Sequence, residues 1–64
     1  MVKVNGKDLD TAGITIAQLV ERQGFERTRV AVELNEEIVP KAAYDSTAVK
    51  DGDIVEIVSF VGGG

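Results

Sequence analysis

The residues best suited to chemistry in this chain are its last three, Gly62, Gly63 and Gly64, three of its seven glycines. Polyglycine cannot pack, and ordering it costs about 1–2 kcal/mol per residue, so these residues add nothing to a core. Extended at about 3.3 Å per residue, the stretch from Val61 to Gly64 spans on the order of 13 Å. Lacking side chains, the glycines can thread a narrow channel and present a terminal carboxylate to another protein's active site. Gly64 has no Cβ to shield its acyl carbon. An α-carboxyl with a pKa of about 3.5 is a carboxylate at neutral pH and a poor electrophile. It must first be activated, most simply as an acyl-adenylate from ATP; a sulfur nucleophile can then displace AMP and leave a thiocarboxylate. The chain has no phosphate-cradling loop, because its Gly-rich stretch is terminal and opens no helix. An activating enzyme is therefore implied. A frayed end, a truncation or a cloning scar would also read as terminal glycines, and what tips the reading is the strand that runs straight into them.

Composition narrows the alternatives. With 64 residues there is room for one domain, which at this size buries only about 60% of the surface its unfolded chain exposes. A deep catalytic pocket beside the core is not expected. The sequence contains no Cys and no His, which removes disulfides, thiol nucleophiles, the usual zinc ligands and the commonest general base. A net charge of −4 argues against nucleic acid and fits a partner with a basic docking surface. No apolar run approaches the roughly 18 residues of a membrane span, and no signal-peptide pattern opens the chain, so the cytoplasm is the expected location.

The elements that must position the tail can be read in order. Val2-Lys3-Val4 alternates and meets Asn5-Gly6, the strongest short hairpin signal. A two-residue turn there pairs Val4 with Lys7, Lys3 with Asp8 and Val2 with Leu9, matching charge to opposite charge and apolar to apolar. Thr15 and Gln18 form a capping box, and Ile14 can staple onto Leu19. Ile16, Leu19 and Val20 recur at helical spacing, while Gly24 and Phe25 supply a Schellman ending, which gives a helix from Ile16 to Gln23. Val30, Val32 and Leu34 alternate with Ala31 and Glu33 as a half-buried strand. Asn35-Glu36 turns into a short strand at Ile38-Val39, ended by Pro40; Glu36 is less comfortable there than Gly if φ must be positive. Residues 41 to 50 have no clean period and read as loop, with one short helical turn near Ala42-Tyr44 and Tyr44 as a partly buried gap-filler with a wet hydroxyl. Asp51-Gly52-Asp53 is a turn rather than a metal loop, which would need more ligands. Ile54 to Val61 is the longest strand, nearly apolar on both faces and therefore central.

This order gives an α+β roll of the β-grasp, ubiquitin-like layout. One main helix lies on one face of a mixed sheet of about four to five strands, and a right-handed crossover sets the third or the last strand parallel to the first. The expected domain covers residues 1–61, followed by a flexible tail over 62–64. The helix stripe packs on Val2, Val4, Val30, Val32, Val55 and Ile57, each contributing about 1.5–3 kcal/mol when fully buried. With Val55 and Ile57 inward, Val58 and Phe60 fall on the open face near the tail, where they form a candidate docking patch beside ordinary exposed apolar surface as the alternative. Truncating such a patch would cost about 2–4 kcal/mol of binding. Glu33, Glu36, Glu37 and Glu56 could gather on the same face and steer a basic partner, or be no more than a solvated surface.

Taken together, Val4-Asn5-Gly6, VAVELN at 30–35, Val39-Pro40 and DGDIVEIVSFVGGG at 51–64 resemble the thiamine-biosynthesis sulfur carrier (ThiS) family, relatives of ubiquitin. The likeness spans essentially the whole chain, and the last block is its specific part. Glu36 departs from it, since a Gly is common there. The resemblance implies that an adenylyltransferase related to ubiquitin-activating enzymes uses ATP to adenylate Gly64. Sulfur then arrives from a cysteine desulfurase or a persulfide relay, and the thiocarboxylate gives it to thiazole synthase. Gly62 and Gly63 would thread the partner's active site. The chain itself would bind no cofactor or metal, have no catalytic residue and act as a carrier rather than an enzyme. Rival readings are a molybdopterin-synthase small subunit, a modifier joined to lysines of target proteins, and a β-grasp binding module without carrier chemistry. The last needs no free C-terminus, so one residue added after Gly64 would spare it and abolish a carrier.

Overall fold

The first hairpin forms in the register that its turn dictates. In the computed structural model, which describes residues 1–60, β1 (Val2–Val4) and β2 (Lys7–Leu9) pair antiparallel as Val2 with Leu9, Lys3 with Asp8 and Val4 with Lys7. Asn5 and Gly6 between them have φ of 50° and 86°, the doubly positive pair that matches strand twist.

The helix α1 (Ile16–Arg22) begins at Thr15. The Thr15 hydroxyl accepts the Gln18 amide at 3.2 Å, and the Gln18 side chain accepts the Thr15 amide at 2.9 Å. The next two orphan amides are met from a distant segment: Ile16 donates to the Thr47 carbonyl at 2.8 Å and Ala17 to that of Tyr44 at 3.0 Å. The helix stops at Arg22, one residue before the expected end, with Gln23 as its cap. Gly24 has φ of 84°, its amide reaches the Glu21 carbonyl, and Phe25 reaches back to Val20, which completes the Schellman pair.

A 3-10 turn (Arg27–Arg29) leads into β3 (Val30–Leu34), then β4 (Glu37–Ile38), a second 3-10 turn (Lys41–Ala43) and β5 (Ile54–Ser59). The strand order is β2-β1-β5-β3-β4, with β5 central, parallel to β1 and antiparallel to β3. This is the mixed five-strand sheet with one helix of the β-grasp fold. β4 starts one residue earlier than expected because Asn35 and Glu36 alone make the turn, with φ of 52° and 72°. β5 ends at Ser59 rather than Val61; the Phe60 amide still bonds the Arg29 carbonyl at 2.8 Å, and Val61 lies outside the described residues, as does the expected boundary with the 62–64 tail.

The nine expected core residues are all buried, and Ala17, Val39, Tyr44 and Val49 join them. Tyr44 corrects the sequence reading. It is fully buried, and burial pushes its phenol pKa up. The unpatterned segment 41–50 is in fact a strap over the start of the helix. Val49 exchanges backbone bonds with Gly13 and Ile14, at 2.8 and 2.9 Å, and Ala48 bridges Thr15. Arg27 and Asp45 pin the strap from outside with two bonds, at 2.9 and 2.7 Å, and the guanidinium holds the Asp45 carboxyl below its ordinary range.

Candidate functional site

β5 is the element that leads into the glycine sequence, so its anchoring decides what the tail starts from. Its short neighbours do not cover it with backbone alone. On the β1 edge, where β1 has already turned, the Asn5 side chain takes over: its Oδ1 accepts the Ile57 amide at 2.8 Å and its Nδ2 donates to the Ile57 carbonyl at 3.2 Å. On the β3 edge, Asn35 Oδ1 accepts the Ile54 amide at 2.9 Å, while its Nδ2 donates to Asp53 at 3.0 Å. Both asparagines stand at positive φ, a region that Asn tolerates better than most residues. Asp53 in turn accepts the Lys50 amide at 2.8 Å, the turn chemistry expected of that segment. The sequence reading missed the two asparagine splints, because their partners lie up to 52 residues away. Asn as the first residue of both two-residue turns was the available signal.

Alternation along β5 then sorts its side chains. Val55 and Ile57 face the helix and are buried. Ile54, Glu56, Val58 and Phe60 face outward, and Val58 and Phe60 are 58% and 56% exposed, where the candidate patch was expected. The Lys41 ammonium sits 5.9 Å from the Phe60 ring centroid, within cation–π range, while donating to the Thr28 carbonyl at 3.2 Å. Two further apolar side chains share this face and were not singled out from the sequence: Ile54, 53% exposed, and Ile38, 75% exposed, opposite Glu33 on β4.

The acidic residues divide. Glu33 stands directly across from Glu56 in the β3–β5 ladder. Together with Asn35, Glu36 and Ile54 they line an open concavity of about 450 Å³. Glu37 does not join them; it lies opposite Leu34, toward the helix side of the sheet edge. Among the described residues no cluster of three His, Cys, Asp or Glu is placed to hold a metal ion. No helix among them is long and apolar enough to cross a membrane. Gly62, Gly63 and Gly64, the residues singled out for chemistry, lie outside the described residues.

Comparison with known proteins covers nearly the full chain. A sequence model of the ThiS family matches residues 2–64. The sulfur carrier protein ThiS of Bacillus subtilis is 43% identical over 68 aligned positions, covering all of both chains. A thiazole synthase of Paramagnetospirillum magneticum is 47% identical over 62 residues; the match takes in 95% of this chain, which spans only 19% of that protein. The crystal structure of a thiamine biosynthesis protein (ThiS) from Geobacter metallireducens superimposes with a TM-score of 0.78 at 37% identity, over 98% of this chain and 97% of the other.

Proposed function

The chain belongs to the ThiS family, and on that premise we propose that it is a sulfur carrier of thiamine biosynthesis whose working group is the Gly64 carboxylate. The match over the whole length of a sulfur carrier protein is the observation that carries this reading. In the first step the carboxylate attacks the α-phosphorus of ATP on an adenylyltransferase, pyrophosphate leaves, and an acyl-adenylate forms. A sulfur nucleophile then attacks the acyl carbon and AMP departs. Hydrosulfide gives the thiocarboxylate directly. A persulfide, such as one made by a cysteine desulfurase, gives an acyl disulfide that a second thiol must cleave. The thiocarboxylate passes its sulfur to thiazole synthase, and the carrier returns as a carboxylate. This chemistry belongs to the partners in the cytoplasm. The carrier contributes the side-chain-free sequence Gly62-Gly63-Gly64 and a docking body that includes Val58 and Phe60.

The test is an accurate intact mass of the chain after incubation with ATP, the adenylyltransferase and a sulfur donor, with and without a thiol-alkylating reagent. The chain has no Cys, so alkylation reports a new sulfur nucleophile. An oxygen-to-sulfur exchange located at Gly64 is expected. An unmodified Gly64, under conditions that load a known carrier, overturns the reading.

A further inference from the structure

The open face of the sheet carries four of the five large apolar side chains that stand exposed among the described residues: Ile38, Ile54, Val58 and Phe60. It also carries an arrangement that costs the free domain stability. Glu33 and Glu56 are direct cross-strand neighbours of like charge, a destabilising pairing, and neither makes an ion pair among the described residues. Glu36 adds a third carboxylate to the concavity they line. Lys3 shares this face beside Ile54 and leaves the three carboxylates unpaired. At the other end of the face the charge reverses at Lys41, which stands against Phe60, while Arg29 nearby is ion-paired with Glu26. Glu56 and Phe60 are four residues apart on one strand, about 13 Å at about 3.3 Å per residue.

We propose that this face is the docking surface for thiazole synthase, and that the synthase seats a basic side chain in the Glu33–Glu36–Glu56 concavity while apolar groups cover Ile38, Ile54 and Val58. The inference rests on the carrier reading and adds the partner's chemistry and orientation to it. Charge complementarity selects the occupant: a cation between Glu33 and Glu56 relieves their repulsion on binding and only on binding. The relative from Paramagnetospirillum magneticum, a thiazole synthase with a stretch matching nearly all of this chain, puts such a domain and a synthase on one polypeptide. The acidic end and the Lys41 end allow one orientation, with the start of the tail sequence toward the basic end.

The experiment titrates thiazole synthase with the unloaded carboxylate form of the carrier, by calorimetry at several salt concentrations. Glu33→Gln with Glu56→Gln is compared with a control of equal charge loss away from the face, Asp10→Asn with Glu21→Gln. The double face variant is expected to bind about tenfold more weakly at low salt, with a flatter salt dependence, while the control binds like wild type. The same face variant, free in solution, is expected to melt about 1–4 °C higher, because the repulsion is gone. Wild-type affinity and salt slope in the face variant overturn the proposal. So does equal loss in the control, absence of any complex with wild type, or an effect confined to self-association of the carrier. Because binding is read without sulfur, this failure is separate from that of the carrier reading, which the mass at Gly64 decides.

Discussion

Val55 and Ile57 point to one side of β5 and are buried under the helix, whereas Ile54, Val58 and Phe60 point to the other and keep more than half of their surface in water. Residue types barely differ between the two sides, so hydrophobicity alone does not decide burial. The single helix decides it, because one helix covers only one face of a five-strand sheet. Among the described residues no second layer covers the other face, and Phe60, the last of them, lies on it. The inner side is therefore read in stability and, on the docking proposal, the outer side in binding.

Truncation on the inner side should give the largest effect. Ile57→Ala leaves a hole beneath α1 and is expected to cost about 2–5 kcal/mol of folding stability, measured by urea denaturation. On the outer side, Phe60→Ala should change stability by no more than about 0.5 kcal/mol and yet weaken partner binding by about 2–4 kcal/mol. A stability loss like that of Ile57→Ala would erase the distinction between the faces. Asn5→Gly keeps the positive φ and removes both side-chain bonds to Ile57. With the Ile57 amide and carbonyl left unpaired, a loss of about 1–3 kcal/mol is expected, along with faster amide exchange at Ile57.

Glu36→Gly sharpens the comparison from the opposite direction. It relieves a left-handed φ of 72° and should raise the denaturation midpoint by about 0.5–1 kcal/mol equivalent without changing the slope. The smallest effect belongs to pH. The Asp45 carboxyl is held low in the folded state by Arg27, so its contribution is present above the ordinary carboxylate range, at about pH 4, and fades as pH falls through the folded value. Melting curves of wild type and Asp45→Asn should run parallel near neutrality and converge in acid. Both groups are exposed, and the gap is small.

Local rules made much of this legible. The Asn5-Gly6 turn set the hairpin register, Thr15 with Gln18 and Gly24 with Phe25 set the helix ends to within a residue, and alternation sorted β5. Those signals all act within a few residues of sequence. Tyr44 was read as only partly buried and Val49 was not read at all, because the 41–50 segment has no period of its own; it folds against the amides of the helix start, which no local pattern announces. The Glu33–Glu56 pairing needed the β3–β5 register, which joins strands distant in sequence. Gly64 was legible only as chemistry, from residue type and position, and the mass measurement is what tests it.

The two asparagine splints have a mechanical consequence. β5 lies between β1 and β3, bonded along both edges, with Asn5 extending the bonding toward the Phe60 end and Asn35 toward the Ile54 end. If a partner held the body by one surface and drew the chain beyond Phe60 into a narrow channel, as the carrier reading proposes, tension would run along β5. That direction loads the bonds on both edges in shear, many at once, rather than peeling them one by one. On the carrier reading, a pull on the chain beyond Phe60 would meet resistance from both edges of β5 together.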